Sequence, residues 1–157
     1  MGDSRRFKEF GSLILRLFPN RSTRIADIGG GYGHLNSYLK DKGYQSVITI
    51  DDRNNRLRHI SYKKGWLTDQ NPENFDLLVG LHCDEATDVI IREAGKLRLP
   101  FIIVPCCIKP TEYSFFGKGF LDWLHHLECK AEQLGFTTQR YYLPIKGKNT
   151  VILGKFT

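Results

Sequence analysis

Apolar residues recur at helical spacing near the start of the chain. Phe7, Phe10 and Ile14 fall on one face, and charged residues occupy positions between them, which predicts a helix over residues 4–18. Pro19 follows directly, and proline does not continue a helix. The remaining sequence has a different pattern and requires a different architecture.

Short apolar runs then alternate with segments of helical periodicity. Runs rich in β-branched and aliphatic residues predict strands of a largely buried sheet. The predicted strands cover residues 24–28, 46–51, 59–62, 75–81, 101–104, 139–143 and 150–156. The predicted helices between them cover residues 34–42, 84–97 and 121–134. Little room remains for a helix between the third and fourth strands, where Pro72 disfavours regular structure.

The order of these elements predicts the fold class. Strands that alternate with helices form a parallel sheet, whereas the last two strands, joined by the turn-rich loop 144–149, must pair antiparallel. We therefore expect an α/β fold with a mostly parallel sheet and a C-terminal antiparallel hairpin. The 157 residues suit a single domain, 1–157, on which residues 1–20 pack as an N-terminal helix.

A glycine-rich turn follows the first predicted strand. Asp27 comes near the end of that strand, and Gly29, Gly31 and Gly33 precede a helix. This geometry brings backbone amides and a helix N-terminus close to a bound cofactor. The dinucleotide fingerprint would need a third glycine where His34 stands, and no G-x-x-x-x-G-K-[ST] phosphate loop occurs. The pattern present is D-x-G-x-G-x-G.

This spacing with its leading acid resembles the cofactor loop of class I S-adenosylmethionine (SAM) dependent methyltransferases. The resemblance implies that Asp27 helps to hold the methionine end of SAM, and that Gly29, Gly31 and Gly33 pass beneath it. It also implies a Rossmann-like, doubly wound, mostly parallel seven-stranded sheet. The alternative is an ordinary tight turn from strand to helix.

Two acidic residues stand at the end of the second predicted strand. Asp51 follows Gly29 by 22 positions, and an acid about 20 positions past a glycine loop binds ribose hydroxyls in nucleotide-binding α/β folds. Asp51 is therefore the candidate ribose ligand. Asp52 is a second cofactor-binding candidate, although strand alternation turns it the other way. A helix cap is the alternative role for the pair.

Two further motifs stand at the ends of the fourth and fifth strands, where ligands bind in open α/β sheets. Residues 80–84 read Gly-Leu-His-Cys-Asp, and residues 105–107 read Pro-Cys-Cys. Together they resemble a methyltransferase subgroup that includes tRNA ribose methylases, with its G-L-H-x-C-G-x-L-x-D pattern and paired cysteines. The match departs from that pattern because Cys83 directly follows His82 and Asp84 stands where a glycine is expected.

His82 is a candidate general base, because a pKa near 6.5 suits proton removal at neutral pH. The alternatives are that it anchors the loop or packs over the adenine, which makes Leu81 and His82 cofactor-binding candidates. Asp84 is a candidate for orienting the acceptor group. Asp immediately before a helical pattern is also an expected N-cap, so that structural role stays open.

The paired cysteines admit three interpretations. The Cys106 thiolate could add to a pyrimidine ring, as in cytosine C5 methyltransferases, but this chain is short for their recognition machinery. A zinc site with His82 and Cys83 is a second option, yet C-x₂-C spacing is absent and adjacent cysteines rarely share one ion. We favour the third, in which Pro105, Cys106 and Cys107 line the substrate pocket, and we predict no metal site.

A segment rich in aromatic residues and glycine covers residues 111–120. Phe115 and Phe116 are candidates for stacking an unpaired base, with Lys109 and Lys118 close to its phosphates. The alternatives are a lid packed on its own domain and the start of the next helix. The chain carries 23 Lys and Arg against 17 Asp and Glu, a net charge of +6, which favours anionic partners such as nucleic acid.

The sequence therefore predicts a SAM-dependent methyltransferase with RNA as its preferred substrate. The alternatives are a catalytically inactive SAM-binding partner subunit, a methyltransferase for a protein or a small molecule, and another nucleotide-using enzyme such as a reductase. A protein partner or a homodimer remains open. Four cysteines without a disulfide pattern, and no secretory signal or apolar run of roughly 20 residues, predict a cytoplasmic protein without a membrane partner.

Overall fold

The structure is a computed structural model that describes residues 2–70, 74–111 and 115–156. Its elements are α1 (Arg6–Leu17), β1 (Arg24–Ile28), α2 (His34–Asp41), β2 (Ser46–Asp51), β3 (Ser61–Lys64), β4 (Leu77–Leu81), α3 (Ala86–Leu97), β5 (Phe101–Val104), α4 (Phe120–Gln133), β6 (Phe136–Tyr142) and β7 (Thr150–Phe156). Within these ranges the strands form one seven-stranded sheet in the order β3-β2-β1-β4-β5-β7-β6. This architecture confirms the predicted fold class.

The sheet is parallel except at one edge. β1 to β5 pair in parallel, whereas β7 inserts between β5 and β6 and runs antiparallel to both. The chain winds outward from β1 through β2 and β3, and then returns to β4 on the other side of β1. The strand order therefore reverses between β1 and β4, and the crevice beyond their carboxyl ends is where such sheets bind ligands.

The sheet is covered by helices on both faces, as its alternating side chains require. Leu77 and Val79 of β4 pack with Phe10 of α1 in one buried cluster. Leu78, between them, packs with Trp123 of α4 in the cluster on the opposite face. Apolar residues on both faces explain why these strands read as continuous hydrophobic runs. α1 therefore packs on the face of the sheet that carries Leu77 and Val79.

Three predicted strands have different boundaries in the structure. β4 covers Leu77–Leu81 rather than 75–81. β3 covers Ser61–Lys64 rather than 59–62, because it is a polar edge strand whose sequence carries no alternation. β6 covers Phe136–Tyr142 rather than 139–143. Gly135, with φ of 99°, ends the preceding helix, and the strand then pairs with β7 from the Phe136–Phe156 pair onward.

The described part of the segment between β3 and β4 includes a 3₁₀ turn, Leu67–Asp69, and no α-helix. The expectation of little helix there is therefore confirmed for the residues that the structure describes. Pro72, on which part of that expectation rested, lies outside them. No helix in the described ranges is both long and apolar enough to cross a membrane.

Candidate functional site

Three cavities among the described residues open at the carboxyl ends of the parallel strands, and His82 lines all of them. The inner cavity, of about 620 Å³, lies between the loops that follow β1, β2, β3 and β4. The glycine cavity lies between the glycine turn and the residues around the start of α1. The loop cavity lies between those N-terminal residues and the β6–β7 loop. His82 therefore lies where the three cavities meet.

The glycine turn after β1 leaves little space for a side chain at Gly30 or Gly33. A Cβ atom on Gly30 would lie 2.1 Å from Asp27 Oδ2, and one on Gly33 would lie 1.9 Å from Ile60 Cδ1. Gly33 precedes α2 with φ of 91° and lines none of the three cavities, so it serves close packing at the helix start. Gly29 lines the inner and glycine cavities. Gly31 lines the glycine cavity.

Asp27 lies beneath this turn and is buried. Thr49 Oγ1 donates a hydrogen bond of 2.9 Å to Oδ2, whereas Oδ1 has no partner in the described part of the chain. Burial raises the pKa of Asp27 to about 7. Its carboxylate does not line a cavity, yet a buried oxygen without a partner favours a nearby cation or donor.

The Asp51 carboxylate is held by two neighbours. The Gly31 N–H donates to Oδ2 at 2.8 Å, and Arg53 donates from Nη2 to Oδ2 at 2.8 Å and from Nε to Oδ1 at 2.9 Å. Burial by itself would raise the pKa of Asp51, but the hydrogen bonds from Arg53 and Gly31 outweigh it and lower the pKa to about 2. Asp51 and the exposed Asp52 both line the inner cavity.

The loop after β3 completes the inner cavity. Gly65, Trp66, Leu67 and Thr68 line it, and Trp66 is 56% exposed. Sequence reasoning left this loop uninterpreted. The available signal was topological, because a third parallel strand must end at the same edge of the sheet as β1 and β2.

His82 follows β4 in a left-handed conformation, with φ of 52°. Its Nε2 lies 2.9 Å from the Lys148 carbonyl oxygen, which can only accept, so the proton is on Nε2 and Nδ1 is the free acceptor of the neutral ring. Burial lowers the pKa of His82. The ring therefore anchors the loop to the β6–β7 hairpin and still presents a basic nitrogen. Leu81 lines the glycine cavity beside it.

Asp84 does not cap α3. The N-cap position is Glu85, without a side-chain cap bond, so the predicted capping alternative was wrong. Asp84 adopts φ of 51°, a conformation suited to the glycine expected there. Its Oδ1 accepts from Cys106 Sγ at 3.2 Å, and its Oδ2 lies 3.5 Å from Lys109 Nζ. Burial opposes ionisation, but Cys106 and Lys109 outweigh it and lower the pKa of Asp84.

The three residues after β5 differ in position. Pro105 is buried and lines none of the three cavities, Cys106 lines the loop cavity, and Cys107 is exposed. Cys83, which sequence reasoning grouped with them, is buried and lies 3.6 Å from Thr87 Oγ1. The structure thus brings Cys106 to the loop cavity and leaves Pro105 in the core.

The aromatic segment divides in the same way. Phe115 packs edge-on against Trp123 at 5.3 Å between ring centroids and lines none of the three cavities, so it takes the domain-packing role that was the alternative for this segment. Phe116 is 91% exposed and remains available for stacking. Residues 112–114 of the predicted segment lie outside the described residues.

The cavities carry opposite charge. The inner cavity is lined by four acidic residues against two arginines: Asp51, Asp52, Asp84 and Glu85 against Arg53 and Arg92. The glycine and loop cavities together are lined by five basic residues and one acid: Arg5, Arg6, Arg53, Lys146, Lys148 and Asp3. That acid is held by Arg5 at 2.7 Å and also accepts from the Lys146 N–H at 3.1 Å. The acidic inner cavity thus adjoins the basic glycine and loop cavities.

The chain is similar in sequence to known methyltransferases. No family model matches the chain. Its sequence is 29% identical, over 167 residues, to the probable tRNA (uracil-O(2)-)-methyltransferases of Caenorhabditis briggsae and Caenorhabditis elegans. The alignments cover 84% and 86% of this chain but 28% of each relative. The chain therefore spans little more than a quarter of the length of these curated relatives.

Solved structures share the architecture over almost the whole chain. The N-terminal domain of EvdMO1, with SAH bound, matches with a TM-score of 0.69 at 11% identity, over 99% of this chain and 83% of that one. The chain has the class I methyltransferase fold. The ribosomal protein L11 methylase of Lactobacillus delbrueckii subsp. bulgaricus matches at 0.66 and 15%, over 98% and 80%. Aeropyrum pernix fibrillarin, with SAM bound, matches at 0.62 and 15%, over 94% and 74%.

Sequence reasoning missed several residues that line the cavities of this methyltransferase fold. Arg53 holds Asp51 from two positions along the chain, and Trp66 lines the inner cavity. Lys148 reaches His82 through its main chain, which no side-chain pattern reveals. The β6–β7 loop carries two basic residues, Lys146 and Lys148. Its position beside His82 follows only from the antiparallel pairing of β6 and β7.

Proposed function

We propose that the chain is a SAM-dependent methyltransferase that acts on RNA, with an oxygen atom of tRNA as the first acceptor to test. The observation that carries the proposal is the acidic inner cavity that meets two basic cavities at His82. When bound, SAM supplies a methyl group on a cationic sulfonium. The protein then has to align an acceptor atom with that methyl group and manage one proton.

The inner cavity suits SAM in size and donor set. Its volume of about 620 Å³ falls in the range of small-molecule sites. Asp51 and Asp52 are assigned to the ribose hydroxyls, and Trp66 offers an aromatic surface to the adenine. The unpartnered Oδ1 of Asp27 lies beneath the turn at Gly30 and lines no cavity, so its assignment to the ammonium of the methionine part requires the turn to shift when SAM binds.

His82 is assigned as the general base. The hydrogen bond to the Lys148 carbonyl keeps the proton on Nε2 and leaves Nδ1 to accept a proton from an acceptor hydroxyl. Asp84 lines the inner cavity and, being ionised, can orient that hydroxyl through a hydrogen bond. Both groups follow β4, at the switch point of the sheet.

The basic cavities support a nucleic-acid acceptor. Arg5, Arg6, Lys146 and Lys148 line them close to His82, and phosphates bind such clusters. Phe116, which is 91% exposed, is available to stack a base. The names of the two nematode relatives, which refer to tRNA, support RNA rather than a protein or a small molecule.

The test is methyl transfer from methyl-labelled SAM to a total tRNA pool by the purified chain, followed by nucleoside analysis. The Asp51→Asn variant serves as the control for contaminating methyltransferases. Label in an O-methylated nucleoside, lost in this variant, supports the proposal. SAM binding without transfer to any RNA would instead identify a partner subunit, and transfer to added protein would contradict RNA as the acceptor.

A further inference from the structure

We propose that Asp84, Cys106 and Cys107 form a binding site for a zinc-class metal ion. One carboxylate oxygen of Asp84 and the two sulfur atoms all lie within 4.8 Å of one another. They come from two different loops, after β4 and after β5, so their convergence is a product of the fold. The site is separate from the assigned SAM ligands but shares Asp84 with the proposed acceptor site, and its test does not depend on methyl transfer.

The spacing of the donor atoms is close to what tetrahedral zinc needs. Zn–S bonds of about 2.3 Å and Zn–O bonds of about 2.0 Å place ligand atoms roughly 3.5–3.8 Å apart. The Cys106 sulfur is 3.2 Å from Asp84 Oδ1, and no pair in the cluster exceeds 4.8 Å. These separations bracket the values that such an ion needs. Thiolate and carboxylate ligands together favour Zn²⁺ over magnesium or calcium.

Adjacent cysteines can share this ion because the backbone after β5 is not extended strand. Successive side chains of a strand point to opposite faces, which would separate the two sulfurs. β5 ends at Val104, before the Pro-Cys-Cys sequence, and Cys106 and Cys107 lie in irregular structure. The prediction of no metal site rested on the absent C-x₂-C spacing and on this adjacency, and the local conformation removes the second objection.

Charge and access also fit an ion. Two thiolates and one carboxylate bring three negative charges, so a divalent ion leaves one, and Lys109 Nζ lies 3.5 Å from Asp84 Oδ2 to offset it. At present the Cys106 thiol donates its hydrogen to Asp84 Oδ1, and the ion would replace that proton. Asp84 borders the inner cavity and Cys106 the loop cavity, which gives water a route to a fourth coordination position.

Cobalt(II) titration tests the proposal directly. The purified chain is stripped of metal with a chelator, kept reduced with a phosphine, and titrated with Co²⁺ alone while the near-ultraviolet thiolate-to-cobalt charge-transfer absorption is recorded. We expect saturation at one equivalent and loss of the absorption when Zn²⁺ is added. Absence of this absorption in the folded wild-type chain would overturn the proposal.

Two variants locate the site. Cys107→Ser changes an exposed residue and is expected to weaken Co²⁺ binding by at least about tenfold. Cys129→Ser, on α4, is the matched control and should leave the titration unchanged. If Cys107→Ser binds Co²⁺ as tightly as the wild type, or if the absorption is lost in Cys129→Ser, the assignment is wrong. SAM affinity is measured on the same samples, so a failed metal site is distinguished from a failed cofactor site.

Discussion

Arg53 holds the Asp51 carboxylate with two parallel hydrogen bonds, at 2.9 Å from Nε to Oδ1 and 2.8 Å from Nη2 to Oδ2. The Arg53 side chain is 66% exposed and that of Asp51 is 2% exposed. The acid is therefore fixed, whereas the guanidinium can move to solvent. On the proposed assignment of Asp51 to the ribose, the ribose hydroxyls compete with Arg53 for the same oxygens.

This competition predicts opposite effects of two substitutions on SAM affinity. Arg53→Ala removes the competitor, and an exposed ion pair of about 1 kcal/mol corresponds to roughly fivefold tighter binding. Asp51→Asn removes a charged acceptor and is expected to weaken binding by about tenfold or more. Isothermal titration calorimetry measures both, with Arg56→Ala in the same loop as the control. Weaker binding by Arg53→Ala would mean that Arg53 itself contacts the cofactor.

Asp27→Asn is expected to stabilise the free protein and to weaken SAM binding. The pKa of Asp27 rises on folding from 3.8 to about 7, so the folded state holds this proton more tightly than the unfolded state. Stability from this group is therefore full below pH 4 and falls as the pH rises through about 7. Asparagine mimics the protonated form and removes this loss.

The expected difference in melting temperature is roughly several degrees at pH 8 and close to zero at pH 4. Thermal unfolding at the two pH values measures it, each value acting as a control for the other. Calorimetry at pH 8 should show weaker SAM binding, because the charge that attracts the ammonium is gone. Equal melting temperatures at pH 8 would contradict a buried ionised Asp27.

Asp84 combines a carboxylate with a left-handed backbone, and two substitutions separate these features. Asp84→Gly removes the carboxylate and relieves the backbone, so its stability should stay within about 1 kcal/mol of the wild type. Asp84→Ala also removes the carboxylate but keeps a Cβ atom in the left-handed conformation. It should therefore be roughly 1–2 kcal/mol less stable than the glycine variant. Chemical denaturation measures both. Turnover is expected to fall equally in the two, and wild-type turnover in Asp84→Gly would show that the carboxylate is not needed.

His82→Asn tests the assigned base while respecting its backbone. Asparagine tolerates the left-handed conformation that His82 adopts at φ of 52°, and its amide can still donate a hydrogen bond. It cannot take up a proton. Turnover should therefore fall by roughly 100-fold or more, with SAM affinity within a few-fold of the wild type. Near-normal turnover would leave His82 with only its anchoring bond to Lys148.

The fold was predictable from local pattern, because its strands are buried on both faces. β1, β2, β5 and β7 have the predicted boundaries, and each is a run of aliphatic or β-branched residues. β3 shifted by two positions because an edge strand of sequence Ser-Tyr-Lys-Lys buries too little to impose a pattern. The extent of apolar burial thus explains why the bounds of these four strands were predicted correctly and those of β3 were not.

The candidate site was predictable from the sequence only where its residues belong to a motif of fixed spacing. Asp27, Gly29 and Asp51 belong to motifs with fixed spacing around a strand end, and the structure brings them to one edge of the sheet. The contact of His82 with Lys148 spans 66 positions and uses a carbonyl group that every residue possesses. Likewise, Asp84 meets Cys106 only because β4 and β5 are neighbours. Such pairings follow from topology and leave no local signal.

The basic residues of the loop cavity predict salt-dependent RNA binding through the β6–β7 loop. Lys146 and Lys148 line the loop cavity, so replacing both with alanine should weaken tRNA binding and lower the slope of log Kd against log salt by about 1.4. The charge-matched control is Lys40→Ala with Lys96→Ala. These lysines lie in the last turns of α2 and α3, which run back from the carboxyl ends of the strands to the opposite edge of the sheet.

Fluorescence anisotropy with labelled tRNA at several salt concentrations gives both slopes. Because the Lys148 main chain is kept, the His82 anchor survives, and SAM affinity should be equal in the two double variants. Equal slopes in the two would place the RNA away from the loop cavity and would remove the argument from charge for an RNA acceptor. A reduced slope in the Lys146/Lys148 pair alone would assign the cavity beside His82 to the phosphates of the substrate.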